Sequence, residues 1–255
     1  MRVAIVIPAR FASSRLPGKP LLRETGKYLI QHVCERADAA RCAAEVIVAT
    51  DDERIFAAVR EFGGRPVMTR ADHASGTDRV AEVAAHLTAE VVINLQGDEP
   101  QLDPAAIDLL AELMRDPASD MATLAVPITD ADAYLSPNVV KVACDDRGRA
   151  LYFSRSPIPM VRDGRPDFAA KPARFLQHLG VYAYRRNFLL KLAGLPTHPL
   201  EESEKLEQLR VLGTGGTIAV GRVARAHRGV DTPADYAAFV RWFREGGDEG
   251  TRRAA

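Results

Sequence analysis

The chain begins with RVAIVIPARFASSRLPGKPLL (residues 2–22), an apolar run followed at once by a proline-rich loop. The apolar run is typical of a strand that is buried on both faces of a sheet. The loop after it concentrates three cations, Arg10, Arg15 and Lys19. Ligands of α/β proteins bind beyond the carboxyl ends of the strands, so if the alternation described below makes this the first strand of an α/β sheet, the loop is predicted to bind phosphate.

The Gly18-Lys19 pair is similar to the end of a P-loop, but Pro20 stands where that motif has Ser or Thr. Proline has no N–H group, so a cradle of backbone amides is interrupted at this point. The side-chain cations remain as the candidate phosphate ligands, with arginine supplying a planar fork and lysine a point charge. The alternative is an ordinary solvated loop.

Apolar strands alternate with helical patterns through the first half of the chain. The predicted strands are RVAIVI, EVIVAT, RPVMT and VVINLQ, with predicted helices near 28–40, 52–62 and 77–87. This alternation predicts a mostly parallel central sheet with helices on both faces.

The texture of the sequence changes after Pro117. The segments MATLAVPI, VVKVACD, ALYFSR and FLQHLGVYAYR predict a smaller mixed-sheet region. PLEESEKLEQLRVL (199–212) and DTPADYAAFVRWFRE (231–245) are predicted as amphipathic helices, the second with Thr232 as N-cap and Pro233 at its first position.

Composition limits the possible classes of function. A length of 255 residues suits one α/β domain, and 34 basic residues balance 34 acidic ones. This balance argues against a nucleic-acid or anionic-membrane partner, and no apolar run approaches the roughly 18 residues of a membrane span. Three cysteines without a CxxC motif, and a start without a leader pattern, predict a reduced, cytoplasmic protein.

Two acidic motifs are candidate metal sites. In VVINLQGDEP (91–100), Asp98 and Glu99 follow an apolar strand, and carboxylates in that position suit Mg²⁺, although a plain acidic turn has the same pattern. In GVDTP (229–233), Thr232 fills the capping role, which leaves Asp231 as a candidate second ligand or as an additional cap.

Ser75 and Gly76 precede a predicted helix and either contact a nucleobase or cap that helix. On strand alternation, His178, Gly180 and Tyr182 share one face, so the histidine and tyrosine either line a cleft or belong to the core.

Glu207 lies beside the apolar stripe of the predicted helix 199–212. It either accepts hydrogen bonds from a polyhydroxylated ligand or forms a surface pair with Arg210.

Taken in order, the motifs resemble those of the CMP-Kdo synthetase family, the 3-deoxy-manno-octulosonate cytidylyltransferases, over residues 5–236. The matching segments are IPARFASSRLPGKPL, VATDDERI, MTRADHASGTDR, NLQGDEP, MATLAVPI, YFSRSPIP, HLGVYAYR, LEQLRVL and GVDTP. The resemblance implies a nucleotidyltransferase fold of the glycosyltransferase-A-like type, usually a cytoplasmic homodimer. It also implies the Mg²⁺-dependent reaction of CTP with Kdo, an acidic eight-carbon sugar, to give CMP-Kdo and pyrophosphate for lipopolysaccharide biosynthesis.

The resemblance also implies site residues by position. The implied triphosphate contacts are Arg10, Arg15 and Lys19, with the Pro8 and Ala9 backbone near the base. The implied cytosine neighbours are Ser75 and Gly76, with Gln96 near the nucleotide or the sugar. The implied metal ligands are Asp98 and Asp231, which with Lys19 and Arg15 form the implied catalytic set. The implied sugar-acid contacts are Gln96, Arg155, His178, Tyr182, Glu207 and Gln208.

Within one domain, 1–255, we expect a nucleotide-binding half (about 1–117), a sugar-binding and dimerisation region (about 118–228), and a closing metal loop and helix (229–246). Two departures from the family pattern are GKYLI (26–30) and the basic segment RVARAHR (222–228). The second leaves open a related acidic sugar, such as the 8-amino analogue of Kdo. A catalytically silent nucleotide-binding regulator is the alternative outside enzymes.

Overall fold

A computed structural model describes residues 1–12, 15–226 and 228–247. His227 of the basic segment RVARAHR lies outside the described residues. In chain order the strands are β1 (Val3–Ala9), β2 (Ala43–Thr50), β3 (Pro66–Met68), β4 (Val91–Asn94), β5 (Met121–Pro127), β6 (Lys141–Cys144), β7 (Ala150–Ser154), β8 (Leu176–Arg185) and β9 (Ile218–Arg222). The α-helices are α1 (Leu29–Asp38), α2 (Glu53–Glu61), α3 (Gly76–Ala85), α4 (Pro104–Leu113), α5 (Ala131–Leu135), α6 (Arg186–Ala193), α7 (Pro199–Glu204), α8 (Gln208–Gly213) and α9 (Pro233–Arg244).

The described residues form two compact units. Residues 1–12, 15–108 and 228–247 make unit 1, and residues 109–226 make unit 2. No helix in the described ranges is both long and apolar enough to cross a bilayer.

Unit 1 contains a parallel sheet in the order β3-β2-β1-β4. All four residues of β4 and the first five of β1 are buried, as their unbroken apolar sequences predict. Because the strands are parallel, the loops that follow β1 and β4 leave the same edge of the sheet. The predicted parallel α/β arrangement of the first half is confirmed.

Unit 2 contains mixed strands. β5 pairs antiparallel with β8 and parallel with β9, and β6 pairs antiparallel with β7 and β8. The mixed sheet predicted after Pro117 is therefore confirmed.

Helix starts follow the local sequence closely. Side-chain oxygens of Asp52, Ser75 and Thr232 each accept a backbone N–H in the first turn of α2, α3 and α9 respectively. The caps of α3 and α9 are reciprocal capping boxes, with Asp78 and Asp235 returning the bond. The predicted start of the C-terminal helix at Pro233 is thus confirmed.

The prediction of one helix over 199–212 is wrong. Lys205 has a left-handed backbone with φ of 54°, which ends α7, and α8 begins only at Gln208. Glu207 is therefore the N-cap residue of α8 and does not lie beside an apolar stripe of one continuous helix, as the sequence analysis predicted. The Arg210 guanidinium binds both oxygens of Glu201 at 2.6 and 2.7 Å, and the alternative pair of Glu207 with Arg210 stays a prediction.

Candidate active site

The loop after β1 turns tightly before it delivers Lys19. Gly18 adopts a left-handed φ of 66°, and its N–H donates to the carbonyl of Phe11 at 3.1 Å. The backbone N–H of Lys19 donates to Leu16 at 3.2 Å, at the start of a 3₁₀ turn. The loop therefore uses these two amides internally, and Lys19 presents its ammonium group instead.

The ammonium of Lys19 contacts two carboxylates from distant parts of unit 1. Its Nζ atom donates to Oδ2 of Asp98 at 2.7 Å and to Oδ1 of Asp231 at 3.3 Å. Arg15 donates to the same Oδ1 of Asp231 at 3.0 Å. All four residues that the family resemblance implied as catalytic thus lie in one ion-pair cluster.

Backbone contacts explain how the two aspartates meet. The N–H of Val230 donates to the carbonyl of Asp98 at 2.8 Å, which lays the GVDTP segment against the turn after β4. A Cβ at Gly229 would lie 3.1 Å from Oε1 of Glu99, so glycine permits this approach. The capping box at Thr232 then leaves the Asp231 side chain to the cluster.

Glu99 adds a third carboxyl group beside this cluster. Burial, and secondarily the neighbouring charges of Asp98 and Asp231, raise the pKa of Glu99 to about 8. The protonated acid is therefore favoured near neutral pH, which limits the negative charge that the site carries. The sequence shows only its adjacency to Asp98, since burial is decided by the tertiary structure.

A second part of unit 1 lies beside Pro8. A Cβ placed at Gly76 would lie 3.5 Å from Cγ of Pro8 and 3.9 Å from Oε1 of Gln96. A Cβ at Gly97 would lie 2.9 Å from the Pro8 carbonyl oxygen, so only glycine allows this turn to approach β1 closely. Gln96, implied near the nucleotide or the sugar, is therefore a neighbour of Pro8 and Gly76, which are implied near the base, and Ala9 follows at the buried end of β1.

Ser75 serves the helix. Its hydroxyl accepts the N–H of Asp78 at 3.1 Å, and its own N–H donates to the Asp78 carboxylate at 3.1 Å. The capping alternative of the sequence analysis is thus confirmed, while a base contact stays a prediction.

Arg10 makes a different contact from the other two loop cations. Its Nη2 donates to the backbone carbonyl of His73 at 3.1 Å. His73 in turn is hydrogen-bonded through Nε2 to Glu82 on α3. Arg10 therefore borders the HASGTDR segment, while Arg15 and Lys19 border the carboxylates.

A buried arginine that the sequence analysis gave no role anchors this segment. Arg79 is fully buried and donates to Asp51 at 2.8 Å and to the hydroxyl of Thr69. These contacts tie α3 to the ends of β2 and β3, and so hold the Ser75–Gly76 turn in place.

In unit 2, Arg155 is held in position by Glu204 and Lys141. The Glu204 carboxylate accepts the Ser154 hydroxyl at 2.6 Å and the backbone N–H of Arg155 at 2.8 Å. Nε of Arg155 donates to the Glu204 carbonyl at 2.8 Å, and Nη1 donates to the carbonyl of Pro137 at 3.0 Å. Lys141, whose side chain is fully buried, donates to the Arg155 carbonyl at 2.6 Å. Sequence reasoning gave no role to Glu204 or Lys141, because their contacts with Arg155 span 49 and 14 residues of the chain.

His178 and Tyr182 approach each other because β8 is irregular. Their ring centroids lie 5.5 Å apart, whereas residues four apart on a regular strand are separated by about 13 Å. The register against β5 jumps from Leu179 to Tyr182, so Gly180 lies in a bulge. The expectation of a regular alternation through Gly180 is wrong, although the histidine and tyrosine do lie together.

The Tyr182 hydroxyl donates to Oε1 of Gln208 at 3.4 Å. Burial, helped by the Glu207 carboxylate, raises the pKa of Tyr182 above its usual range, so it stays a phenol. Nε2 of Gln208 is buried without a hydrogen-bond partner in the described ranges, and is a donor available to a ligand. Three of the implied sugar-acid residues, His178, Tyr182 and Gln208, are thus in contact through Tyr182.

The cytidylyltransferase family model matches residues 4–218. A 3-deoxy-manno-octulosonate cytidylyltransferase of Syntrophotalea carbinolica is 53% identical, covering 92% of this chain and 96% of that protein. The enzyme of the same name from Escherichia coli is 51% identical, covering 91% and 92% of the two chains.

Among solved structures, a CMP:2-keto-3-deoxy-manno-octonic acid synthetase complexed with CTP is 48% identical. It aligns with a TM-score of 0.90 over 96% of this chain and 100% of that one. A 4-diphosphocytidyl-2C-methyl-D-erythritol synthase of Anaerococcus prevotii, 12% identical with a TM-score of 0.62, shows the shared nucleotidyltransferase fold alone. These similarities cover nearly the whole chain. They show that this protein belongs to the 3-deoxy-manno-octulosonate cytidylyltransferase family of nucleotidyltransferase enzymes.

Proposed function

We propose that the protein transfers the cytidylyl group of CTP to 3-deoxy-manno-octulosonate (Kdo), which gives CMP-Kdo, a precursor for lipopolysaccharide, and pyrophosphate. The observation that carries the proposal is the Lys19 ammonium between Asp98 and Asp231, where the loops after β1 and β4 leave the parallel sheet. An arrangement of opposed charges at that edge suits a triphosphate and the cation that accompanies it.

In the reaction, the anomeric hydroxyl oxygen of the sugar acid forms a bond to the α-phosphorus, and the bond from that phosphorus to the pyrophosphate oxygen breaks. The hydroxyl proton leaves to solvent. Lys19 and Arg15 balance the charge that gathers on the departing pyrophosphate, and fixed cations of this kind provide much of the rate in phosphoryl-type transfers. Arg10 and the Pro8–Ala9 backbone orient the nucleotide, and Gly76 leaves room for the base beside Gln96.

The donor set of the ion-pair cluster fits Mg²⁺. Mg²⁺ takes oxygen ligands, usually one or two carboxylates together with phosphate oxygens and water. Asp98 and Asp231 supply two such carboxylates, both in contact with the Lys19 ammonium. Asp98 and Asp231 would hold the ion. When bound, Mg²⁺ supplies Lewis-acid polarisation of the phosphate and of the attacking hydroxyl.

The residues of unit 2 supply the groups for the sugar acid. Arg155 is a natural partner for its carboxylate. Gln208 has a buried donor, and Tyr182, Glu207 and His178 offer further polar contacts to sugar hydroxyls.

We infer a homodimer in the cytoplasm. Three large apolar side chains of unit 2, Leu135, Leu151 and Met160, are more than 60% exposed, which supports burial against a second copy. The three cysteines are free thiols, which suits a reducing compartment. Sedimentation analysis gives the oligomeric state directly.

The test of function is pyrophosphate release from CTP with Mg²⁺ and a panel of Kdo, its 8-amino analogue and sialic acid, with UTP and ATP as controls. We expect release with CTP and Kdo. Release only with the 8-amino analogue or with sialic acid would replace the sugar assignment. CTP binding without release for every acid would support the silent regulator.

A further inference from the structure

We propose that Thr123 is a positioning residue that fixes the tautomer of His178, so that His178 presents its Nδ1 lone pair to the substrate. The identity of that substrate, the sugar acid, rests on the proposed function. The tautomer itself depends only on the geometry within unit 2.

Thr123 lies on β5 directly opposite the bulge in β8. Cα of Thr123 pairs with Tyr182, while the next residue, Leu124, pairs with Leu179. Gly180 and Val181 have no partner on β5, and the carbonyl groups of Leu179 and Val181 face Thr123. Its Oγ1 atom lies 2.8 Å from the Val181 oxygen and 3.1 Å from the Leu179 oxygen.

The same Oγ1 atom lies 3.0 Å from Nε2 of His178. A threonine hydroxyl has one proton to donate, and a carbonyl oxygen can only accept. If that proton pointed to His178, both carbonyl oxygens would face the hydroxyl oxygen without a proton between them. The arrangement is satisfied when Thr123 donates to the bulge carbonyls and accepts the N–H of His178 Nε2.

A neutral imidazole carries one N–H, so protonation at Nε2 leaves Nδ1 as an acceptor. Nδ1 makes no hydrogen bond in the part of the chain that the structure describes. Burial also lowers the pKa of His178 to about 3, which keeps the ring neutral near pH 7. His178 is therefore suited to accept a hydrogen bond from a ligand hydroxyl.

Thr123 is fully buried, and its contacts also hold the bulge that brings His178 and Tyr182 together. One hydroxyl thus sets both the position of the histidine ring and its proton. Valine has nearly the same shape without the hydroxyl, whereas serine keeps the hydroxyl and loses only the methyl group.

The first test is histidine side-chain ¹⁵N NMR of the full-length protein near pH 7.5, with the His178 signals assigned by comparison with His178→Gln. We expect a protonated Nε2 and an unprotonated Nδ1 in the wild type and in Thr123→Ser. The opposite tautomer in the wild type would overturn the proposal, and this result needs no substrate and no folded variant at Thr123.

The second test is steady-state kinetics of pyrophosphate release. Thr123→Val is expected to raise KM for the sugar acid about tenfold, the scale of one hydrogen bond, with KM for CTP unchanged. Thr123→Ser should stay within about twofold of the wild type if the hydroxyl is what matters. Equal losses in Thr123→Val and Thr123→Ser, or a parallel rise in both KM values, would contradict the proposal. Silence of the wild type with every sugar acid would instead remove the proposed function, while the NMR result still decides the tautomer.

Discussion

Nζ of Lys19 lies 2.7 Å from Oδ2 of Asp98, and this contact joins the loop after β1 to the turn after β4. Lys19 and Asp98 are mostly shielded from solvent, with side-chain exposures of 13% and 30%. Because screening by water is reduced there, the pair is a stronger organiser of the site than an exposed salt bridge.

Asp98→Asn tests the proposed metal ligand. The amide keeps the shape of the side chain but loses the negative charge, so turnover should fall by at least ~10², the scale seen when one electrostatic stabiliser is lost. Steady-state pyrophosphate release measures the effect. Asp146→Asn, at an exposed position in unit 2, is the matched control and should keep normal turnover. Near-normal activity of Asp98→Asn would remove Asp98 from the metal role.

Lys19→Met tests the cation between the carboxylates. Methionine keeps the apolar stem and most of the length of the side chain but removes the charge, so we expect turnover to fall by at least ~10² and KM for CTP to rise. The control is Lys27→Met, because Nζ of Lys27 also binds a carboxylate, that of Glu35, at 2.7 and 2.8 Å. Equal effects of the two substitutions on turnover would show that Lys19 has only a structural role.

Gly76→Ala separates nucleotide binding from folding. The new Cβ would meet Pro8 and Gln96 at 3.5 and 3.9 Å, which are ordinary contact distances, so Tm should be unchanged or slightly higher. The methyl group occupies space beside these base-side residues, and we expect KM for CTP to rise severalfold. Gly194→Ala, at a helix end in unit 2, is the control. An unchanged KM for CTP in Gly76→Ala would exclude Gly76 from the base contact.

Glu204→Gln tests the support of Arg155. Glutamine replaces one acceptor oxygen by an N–H₂ group, which faces the Ser154 hydroxyl or the Arg155 N–H and disrupts at least one of the two bonds. We expect KM for the sugar acid to rise about tenfold, with KM for CTP unchanged. Glu202→Gln on the same helix is exposed and serves as the control. A rise in KM for CTP alone would contradict the assignment.

His178 predicts a pH dependence of stability. Its pKa is lowered in the folded protein to about 3 by burial, so the unfolded chain binds a proton first as the pH falls. The stability present above pH ~6.5 is therefore lost progressively between pH ~6.5 and about 3. By pH 5 the loss amounts to about 2 kcal/mol.

Urea unfolding of the wild type and of His178→Gln, at pH 7.5 and pH 5, measures this contribution. The loss of unfolding free energy between the two pH values should be smaller in the variant. His86→Gln removes an exposed imidazole and is the control. An identical pH dependence in the wild type and in His178→Gln would show that the buried ring does not contribute.

Local sequence determined the elements of unit 1. The apolar runs specify β1 and β4, and the Ser75 and Thr232 capping boxes specify where α3 and α9 begin. These features depend on neighbours within a few residues, which is why a single sequence reveals them. The same reasoning failed at Lys205, because a left-handed lysine is unusual and its position depends on what the two helices pack against.

The motifs by themselves also determined which residue types are available for phosphate, metal and sugar chemistry, and the order of those motifs indicated the family. Only the tertiary structure decided which of them meet. The hydrogen bond from Val230 to Asp98 and the bulge opposite Thr123 each bring together segments far apart in the chain. The burial that raises the pKa of Glu99 likewise depends on the packing of such segments. Contacts and desolvation of this kind depend on distances in the folded chain, so the local pattern of residues carries no record of them.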